Sequence, residues 1–264
     1  FQEFDDAILD DTSGFIVDGG SGSGQTTLSC KDIYDADSAR ENKAYTLHVN
    51  SEQISVYCHM VTDHEADLKA CGGGGWTLVM KINGNKRTFH YHSKLWTNKN
   101  ELNRPGGENL LDDNETKLPT YWSTPFSKIC LAMKTSDGQV NSIVINKTAS
   151  SLYALIADGT EKLLTKKLGP PAWKTLIGED ASLQKHCNKE GFNLKSPNYN
   201  YHSEARIGII SNQEDDCATP DSRIGFGIGG YPNGNNTCGN VASALYRPDN
   251  GGRDIKAMGY ILVQ

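Results

Sequence analysis

The chain has 264 residues, enough to bury a sizeable core in one large domain or two small ones. Its net charge is −6, and the first 29 residues hold six acids and no Lys or Arg, so the remaining 26 acidic and 26 basic side chains cancel. A body without basic excess argues against a nucleic-acid partner, which demands a positive footprint. No apolar run has the length needed to span a bilayer.

Residues 1–28 read as an acidic tail. Phe15-Ile16-Val17 is a brief apolar run, and Gly19 to Gly24 is a Gly/Ser linker. The acids there could touch a cation or a mineral surface, and a solvated spacer is the favoured reading. The chain opens on Phe1 rather than Met, as a processed product or a fragment would. One domain is expected over 29–264. Ala36 to Asn42 reads as a short helix or turn. Tyr45–Val49 and Ile54–Tyr57 read as strands, with a hairpin loop over Asn50–Gln53.

The organising stretch runs from Cys58 to Lys81. Four consecutive glycines, Gly72 to Gly75, precede a strand over Trp76–Met80. Such a run lets backbone approach backbone and permits positive φ. Trp76 brings a large apolar body and one N–H that requires a partner. The residues alone describe a cysteine-stapled, Trp-anchored β corner.

Further on, Thr88–His92 alternates and reads as a strand with His90 and His92 on one face. A His-x-His pair can ligate metal, but no third ligand lies nearby, so a hydrogen-bonded pair is favoured. Asn103–Leu118 reads as a surface loop. Ile129–Lys134 and Ile143–Ile145 return to the core, Ser150–Ile156 is a helix or a strand, and Pro170-Pro171 breaks whatever precedes it. Ala205–Ile210 is a strand, Asn212–Cys217 an acidic loop, and Gly259–Val263 a buried closing strand by its continuous apolar run. No long helix is expected.

Seven cysteines stand at 30, 58, 71, 130, 187, 217 and 238, with no Cys-x-x-Cys pair to suggest structural zinc. With three sequons, at Asn114, Asn146 and Asn235, they predict a secreted, disulfide-bonded glycoprotein. The odd count leaves one thiol over, unless it pairs with a second chain and makes an oligomer.

Enzymatic motifs are lacking: there is no nucleophile elbow, Walker loop or His-Glu-x-x-His. Gly225-Phe-Gly227-Ile-Gly229-Gly230 has dinucleotide-loop spacing without the strand-to-helix context. The chain is expected not to be an enzyme. Ca²⁺ is the candidate cofactor. Glu214, Asp215, Asp216 and Asp221, with the amides of Asn233, Asn235 and Asn236, offer hard oxygens in a Gly-rich region, against the alternative of a solvated acidic loop. A sugar could also be held without metal, by tyrosine faces and amides. Tyr199, Tyr201, Tyr231 and Tyr246, with Asn198, Asn200 and Asn233, are placed for that, and Tyr231, Asn233 and Tyr246 form the candidate ligand set.

Val56-Tyr57-Cys58-His59-Met60 followed by Gly73-Gly74-Gly75-Trp76-Thr77-Leu78-Val79 resembles the opening signature of fibrinogen C-terminal-like domains, nearest to the intelectin branch. Cys30-Lys31-Asp32-Ile33 resembles the start of that domain, and Asn212-Gln213-Glu214, Gly229-Gly230-Tyr231 and Cys238-Gly239 resemble later intelectin steps. Leu95–Lys99 and Lys117–Trp122 resemble secreted cnidarian relatives, including proteins of the coral skeletal matrix. The resemblance covers roughly residues 29–264 and implies an α+β fold. That fold is a single domain with a twisted, mainly antiparallel central sheet that the terminal strand enters, short helices and long loops.

The resemblance also implies a Cys30–Cys58 bridge, worth on the order of 3 kcal/mol in the chain-entropy model. It pairs Cys217 with Cys187 or Cys238, with Cys187 preferred. Cys238 would then reach back toward the first third, with Cys71 one candidate partner and Cys130 the odd thiol in that case; the pairing among Cys71, Cys130 and Cys238 stays open. Intelectins place acidic and His calcium ligands just before the Gly-rich run, where this chain has Ser222, Arg223 and Ile224. A further ligating Glu gives way to the Pro232-Asn233 region. The expectation is therefore a secreted, non-enzymatic extracellular or skeletal matrix protein with a recognition domain. Its partners would be matrix, mineral or glycans. The alternative is a calcium-dependent lectin.

Overall fold

The computed structural model describes residues 29–36, 41–62, 68–197 and 202–264. The acidic tail, part of the predicted 36–42 element, and Asn198, Tyr199, Asn200 and Tyr201 lie outside the described residues.

In chain order the elements are α1 (Cys30–Ala36), β1 (Lys43–Val49), β2 (Glu52–His59), β3 (Trp76–Asn83), β4 (Thr116–Lys117), α2 (Thr120–Ser123), β5 (Phe126–Lys134), β6 (Val140–Ala149), α3 (Leu152–Ile156), β7 (Lys162–Leu163), α4 (Pro170–Thr175), β8 (His186–Leu194), β9 (Glu204–Asn212), β10 (Ser222–Gly229), β11 (Cys238–Ala242), β12 (Arg253–Lys256) and β13 (Met258–Val263). Two sheets result, in which every pairing is antiparallel. The first runs β1-β2-β3-β13-β5-β6 with β4 on β3, and the second runs β12-β11-β10-β9-β8-β7. The predicted α+β class holds at this level: the strands are antiparallel, the helices are short, and a second sheet stands beside the one the terminal strand enters.

The first sheet is covered on both faces, which explains the unbroken apolar run of β13. Its side chains alternate across the sheet. Ile261 and Val263 join Ile129, Leu131 and Met133 of β5 in a core shared with Phe192, Ile207, Ile209, Ile224 and Phe226 of the second sheet. Met258, Tyr260 and Leu262 face the other way, with Cys130 and Ala132 of β5, Leu78 of β3 and Cys58 of β2. A third, smaller cluster of Leu194, Ala205, Ile210, Ile228 and Val241 lies within the second sheet's own strands. The chain crosses from the second sheet to the first at Ala257, whose N–H donates to Cys238 O at 2.9 Å.

The hairpin between β1 and β2 turns on Asn50 and Ser51 alone, both at positive φ, so its loop is tighter than the four residues expected. At the Gly-Trp corner, Gly74 and Gly75 donate to Met60 O (2.7 Å) and His59 O (3.1 Å). Trp76 is buried, and its Nε1–H reaches Cys71 O at 3.0 Å. A Cβ on Gly73 would meet Met60 O at 2.4 Å, which is the close backbone approach the glycines permit.

Three expectations are corrected. Thr88–His92 is a pair of turns, closed by His90 N to Arg87 O (3.2 Å) and Ser93 N to His90 O (2.9 Å), because Phe89 and Tyr91 turn inward as anchors. Pro170-Pro171 opens helix α4 instead of only ending what precedes it; a first-turn proline has no intrahelical N–H to lose. The candidate Cys71–Cys238 pairing is also wrong. Cys71 bonds to Cys130 of β5, and Cys238 is the free, buried cysteine. The reason is topological: Cys71, at the end of the short helical turn Lys69–Cys71, packs on the face of the first sheet that carries Cys130, while Cys238 lies in the core between the sheets. The other two bridges are Cys30–Cys58 and Cys187–Cys217.

Candidate functional site

A cleft of about 440 Å³ is lined by His202, Gln213, Glu214, Thr219, Asp221, Tyr231 and Tyr246. Four segments build it: the approach to β9, the loop between β9 and β10, the turn after β10, and the short helical turn Ala244–Tyr246 after β11. The β9–β10 loop is polar and buries little. The Cys187–Cys217 bridge ties it to β8, and Asp216 closes it by accepting from Ala218 N–H at 2.8 Å. Ser243 starts the last turn by accepting from Leu245 N–H.

The walls differ in chemistry. Tyr231 and Tyr246 face each other edge-on with ring centroids 6.3 Å apart. Their hydrogen bond pushes the Tyr246 phenol pKa up. On the polar wall Asp221, only 4% exposed, lies 3.3 Å from His202 Nδ1. Burial raises the Asp221 carboxyl pKa, against the opposing pull of His202. Gln213 and Glu214 form the rim, joined by a 2.7 Å hydrogen bond. Beyond that rim a second hollow of about 540 Å³ shares Gln213, Glu214 and Tyr246 with the cleft and adds Lys185, His186, Leu245 and Arg247. The two hollows share a wall, one bordered by the tyrosine rings and the other by basic side chains.

Beneath Tyr231 lies Arg223 of β10, fully buried. The turn after β10 folds back along the strand, so the guanidinium donates to Tyr231 O (2.8 Å), Gly230 O (3.1 Å), Asn233 O (2.5 Å) and Ser203 Oγ (3.2 Å). The Ser203 hydroxyl in turn donates to Tyr231 O at 3.3 Å. Burial pulls the Arg223 pKa down to about 9, partly offset by Glu204 and Asp254 at longer range.

Of the expected site residues, the structure gathers Glu214, Asp221, Tyr231 and Tyr246 in one cleft. Asp215 and Asp216 do not line it: the Asp215 side chain is 97% exposed, 3.8 Å from His186. Asn233 also stays outside, donating to Asp254 at 2.6 Å, and Asn236 donates to the same carboxylate at 3.0 Å. Among the described residues no group of three or more His, Cys, Asp or Glu side chains is arranged to hold a metal ion. His92 pairs with buried Glu204 at 2.9 Å, away from the cleft. Burial pushes the His90 pKa down. All three sequon asparagines are exposed; Asn146 is on β6, and the Asn235 amide oxygen accepts from Arg87.

No sequence signal marks His202, Ser203 or Arg223 as functional. Arg223 was visible only as an unexpected residue before the Gly-rich run. No family model matches the chain, and no curated protein matches it.

Proposed function

We propose that this chain is a non-catalytic, extracellular carbohydrate-binding domain, and that Tyr231 and Tyr246 hold a sugar ring without a bound metal. The observation that carries this is the cleft itself. Two tyrosine rings meet across about 440 Å³, with His202, Asp221, Gln213, Glu214 and Thr219 on the facing side. Pyranoses present an apolar ring face and a rim of hydroxyls, and few pockets need more than aromatic area plus several well-placed polar groups to take one. The neighbouring hollow, which shares Gln213, Glu214 and Tyr246 with the cleft, gives room for a further residue of an oligosaccharide. Three disulfides suit an oxidising compartment.

A fibrinogen-like origin is part of the proposal. Its support is the Gly-Trp corner, the Cys30–Cys58 and Cys187–Cys217 bridges, and the terminal strand β13 lying inside the first sheet between β3 and β5. A matrix or mineral-associated role rests on the acidic residues 1–28, outside the described structure.

The test is an array of neutral and acidic glycans probed with the intact protein in chelator and in added Ca²⁺. Retention that survives chelator, with no cleavage products, is expected, and Tyr231→Ala with Tyr246→Ala should abolish it. Retention of no glycan would refute the reading. Retention only with Ca²⁺ would restore the calcium-dependent alternative, with Glu214 and Asp221 as its nearest carboxylates.

A further inference from the structure

We propose that Arg223 is the positioning residue of the tyrosine cleft. It is a cation built into the chain that gathers the carbonyl oxygens of Gly230, Tyr231 and Asn233 and so sets Tyr231 against Tyr246 with no metal ion. Only the use made of the cleft rests on the sugar-binding reading; the positioning itself does not.

The oxygen set carries the argument. Three main-chain carbonyls and one hydroxyl converge on a fully buried guanidinium, and among the described residues no carboxylate accepts from it. Carbonyl and hydroxyl oxygens are the ligands that hard cations recruit to cross-link a loop. Here the charge arrives on a side chain of β10. A planar guanidinium can point separate N–H groups at separate acceptors, whereas an ammonium radiates from one atom. Burying a cation this way is costly unless its acceptors are held in place, so cation and loop fix each other. Among the described residues Arg223 Nε–H has no hydrogen-bond partner, and the bonds of the cradle come from the two Nη groups.

Arg87 ties the far side of the turn, donating to Gly234 O (3.2 Å) and Asn235 Oδ1 (2.7 Å), and leaves the Tyr231 carbonyl to other donors. Gly230, Pro232 and Asn233 are only half-buried, and Gly234 and Asn235 are exposed. Yet the carbonyl of Tyr231, the residue that carries the ring, takes two donors, Arg223 Nη1 and Ser203 Oγ. Asn233 adds a tie to Asp254 of β12. A set of contacts concentrated on the main chain of one aromatic residue orients that residue, beyond whatever it adds to the stability of the sheet.

The test uses Arg223→Lys, Tyr231→Ala and the double variant. Each is titrated with the methyl α- and β-pyranosides of glucose, galactose and mannose in chelator, and the Tyr246 phenol is followed by NMR of ¹³C-labelled tyrosine across alkaline pH. We expect Arg223→Lys to weaken the best-bound pyranoside at least tenfold and to return the Tyr246 titration toward that of a free tyrosine. The double variant should bind no more weakly than Tyr231→Ala alone, because Arg223 acts through Tyr231. A general loss of stability would add to the Tyr231→Ala effect and would not move the Tyr246 titration.

The proposal is overturned if Arg223→Lys leaves the Tyr246 titration and the affinity unchanged, if the two substitutions add, or if chelator weakens binding by the parent chain. Should Arg223→Lys fail to fold, Ser203→Ala removes one acceptor of the cradle and one donor to Tyr231, and it must shift the Tyr246 titration in the same direction. If the parent binds no pyranoside, the functional reading falls, and the Tyr246 titration alone still decides the positioning role.

Discussion

Replacing Gly75 by Ala tests whether the Gly-Trp corner is a structural keystone. Gly75 has φ +87°, and a Cβ there would lie 2.5 Å from Cys30 O and 2.8 Å from Lys31 Cα. Both obstacles are main chain at the start of α1. Cys30 cannot swing aside freely, since it is bonded to Cys58 and its N–H donates to Thr77 Oγ1 at 3.0 Å. A non-glycine residue in this backbone region costs roughly 1–2 kcal/mol, and forcing extra volume into a packed site adds about 1–3 kcal/mol. Taking about 3 kcal/mol in all, a domain of this size should lose roughly 10 °C in Tm. The assay is thermal unfolding by circular dichroism with the disulfides intact, and Gly75→Val should be worse than Gly75→Ala. A Gly75→Ala variant melting within about 2 °C of the parent, roughly 0.5–1 kcal/mol on the same scale, would refute the reasoning.

Other consequences can be measured separately. A non-reducing peptide map should join Cys71 to Cys130 and leave Cys238 as the thiol, alkylated only after unfolding because it is buried; a Cys71–Cys238 peptide would overturn the topology. Lys117 is buried against the rings of Tyr121 and Trp122, with its ammonium on Asn98, and burial pulls its pKa down to about 8. Its unfolded form therefore holds a proton that the folded form releases between about pH 8 and its ordinary value near 10.4. Relative to a Lys117→Met variant, the parent should gain stability as pH rises through that window, and a constant difference by chemical denaturation would contradict this. Lys185 and Arg247 line the second hollow, so Lys185→Glu with Arg247→Glu should weaken a uronate-bearing oligosaccharide several-fold at low salt and leave a neutral one unchanged. Equal effects on both would remove the second hollow from the ligand site.

Much of the first sheet was legible because its strands carry strong local signals. The apolar run of Gly259–Val263 and the Gly-Trp step declared buried strands, and the structure adds that both faces of β13 are covered. His90-Tyr91-His92 misled because alternation over five residues looks the same whether a segment pairs or turns; the inward anchoring of Phe89 and Tyr91 is tertiary. Cys71 was given a wrong candidate partner because sequence spacing says nothing about which face of a sheet a cysteine occupies. Within the candidate site, Tyr231, Tyr246, Glu214 and Asp221 were visible as residue types suited to a ligand. Their convergence was not, since it depends on the turn after β10 folding back over its own strand. Arg223 looked like a missing ligand in sequence, whereas in the fold it sits among the oxygens of that turn.

The most direct test of the central claim is a ¹H–¹⁵N NMR titration of the intact chain, in chelator, with the methyl pyranosides of glucose, galactose and mannose. Binding by the tyrosine cleft predicts saturable shifts centred on His202, Gln213, Glu214, Thr219, Asp221, Tyr231 and Tyr246, reached only at higher sugar concentration in Tyr231→Ala and lost when Tyr246→Ala is added. Shifts that appear only when Ca²⁺ is restored, or that centre elsewhere on the molecule, would contradict it.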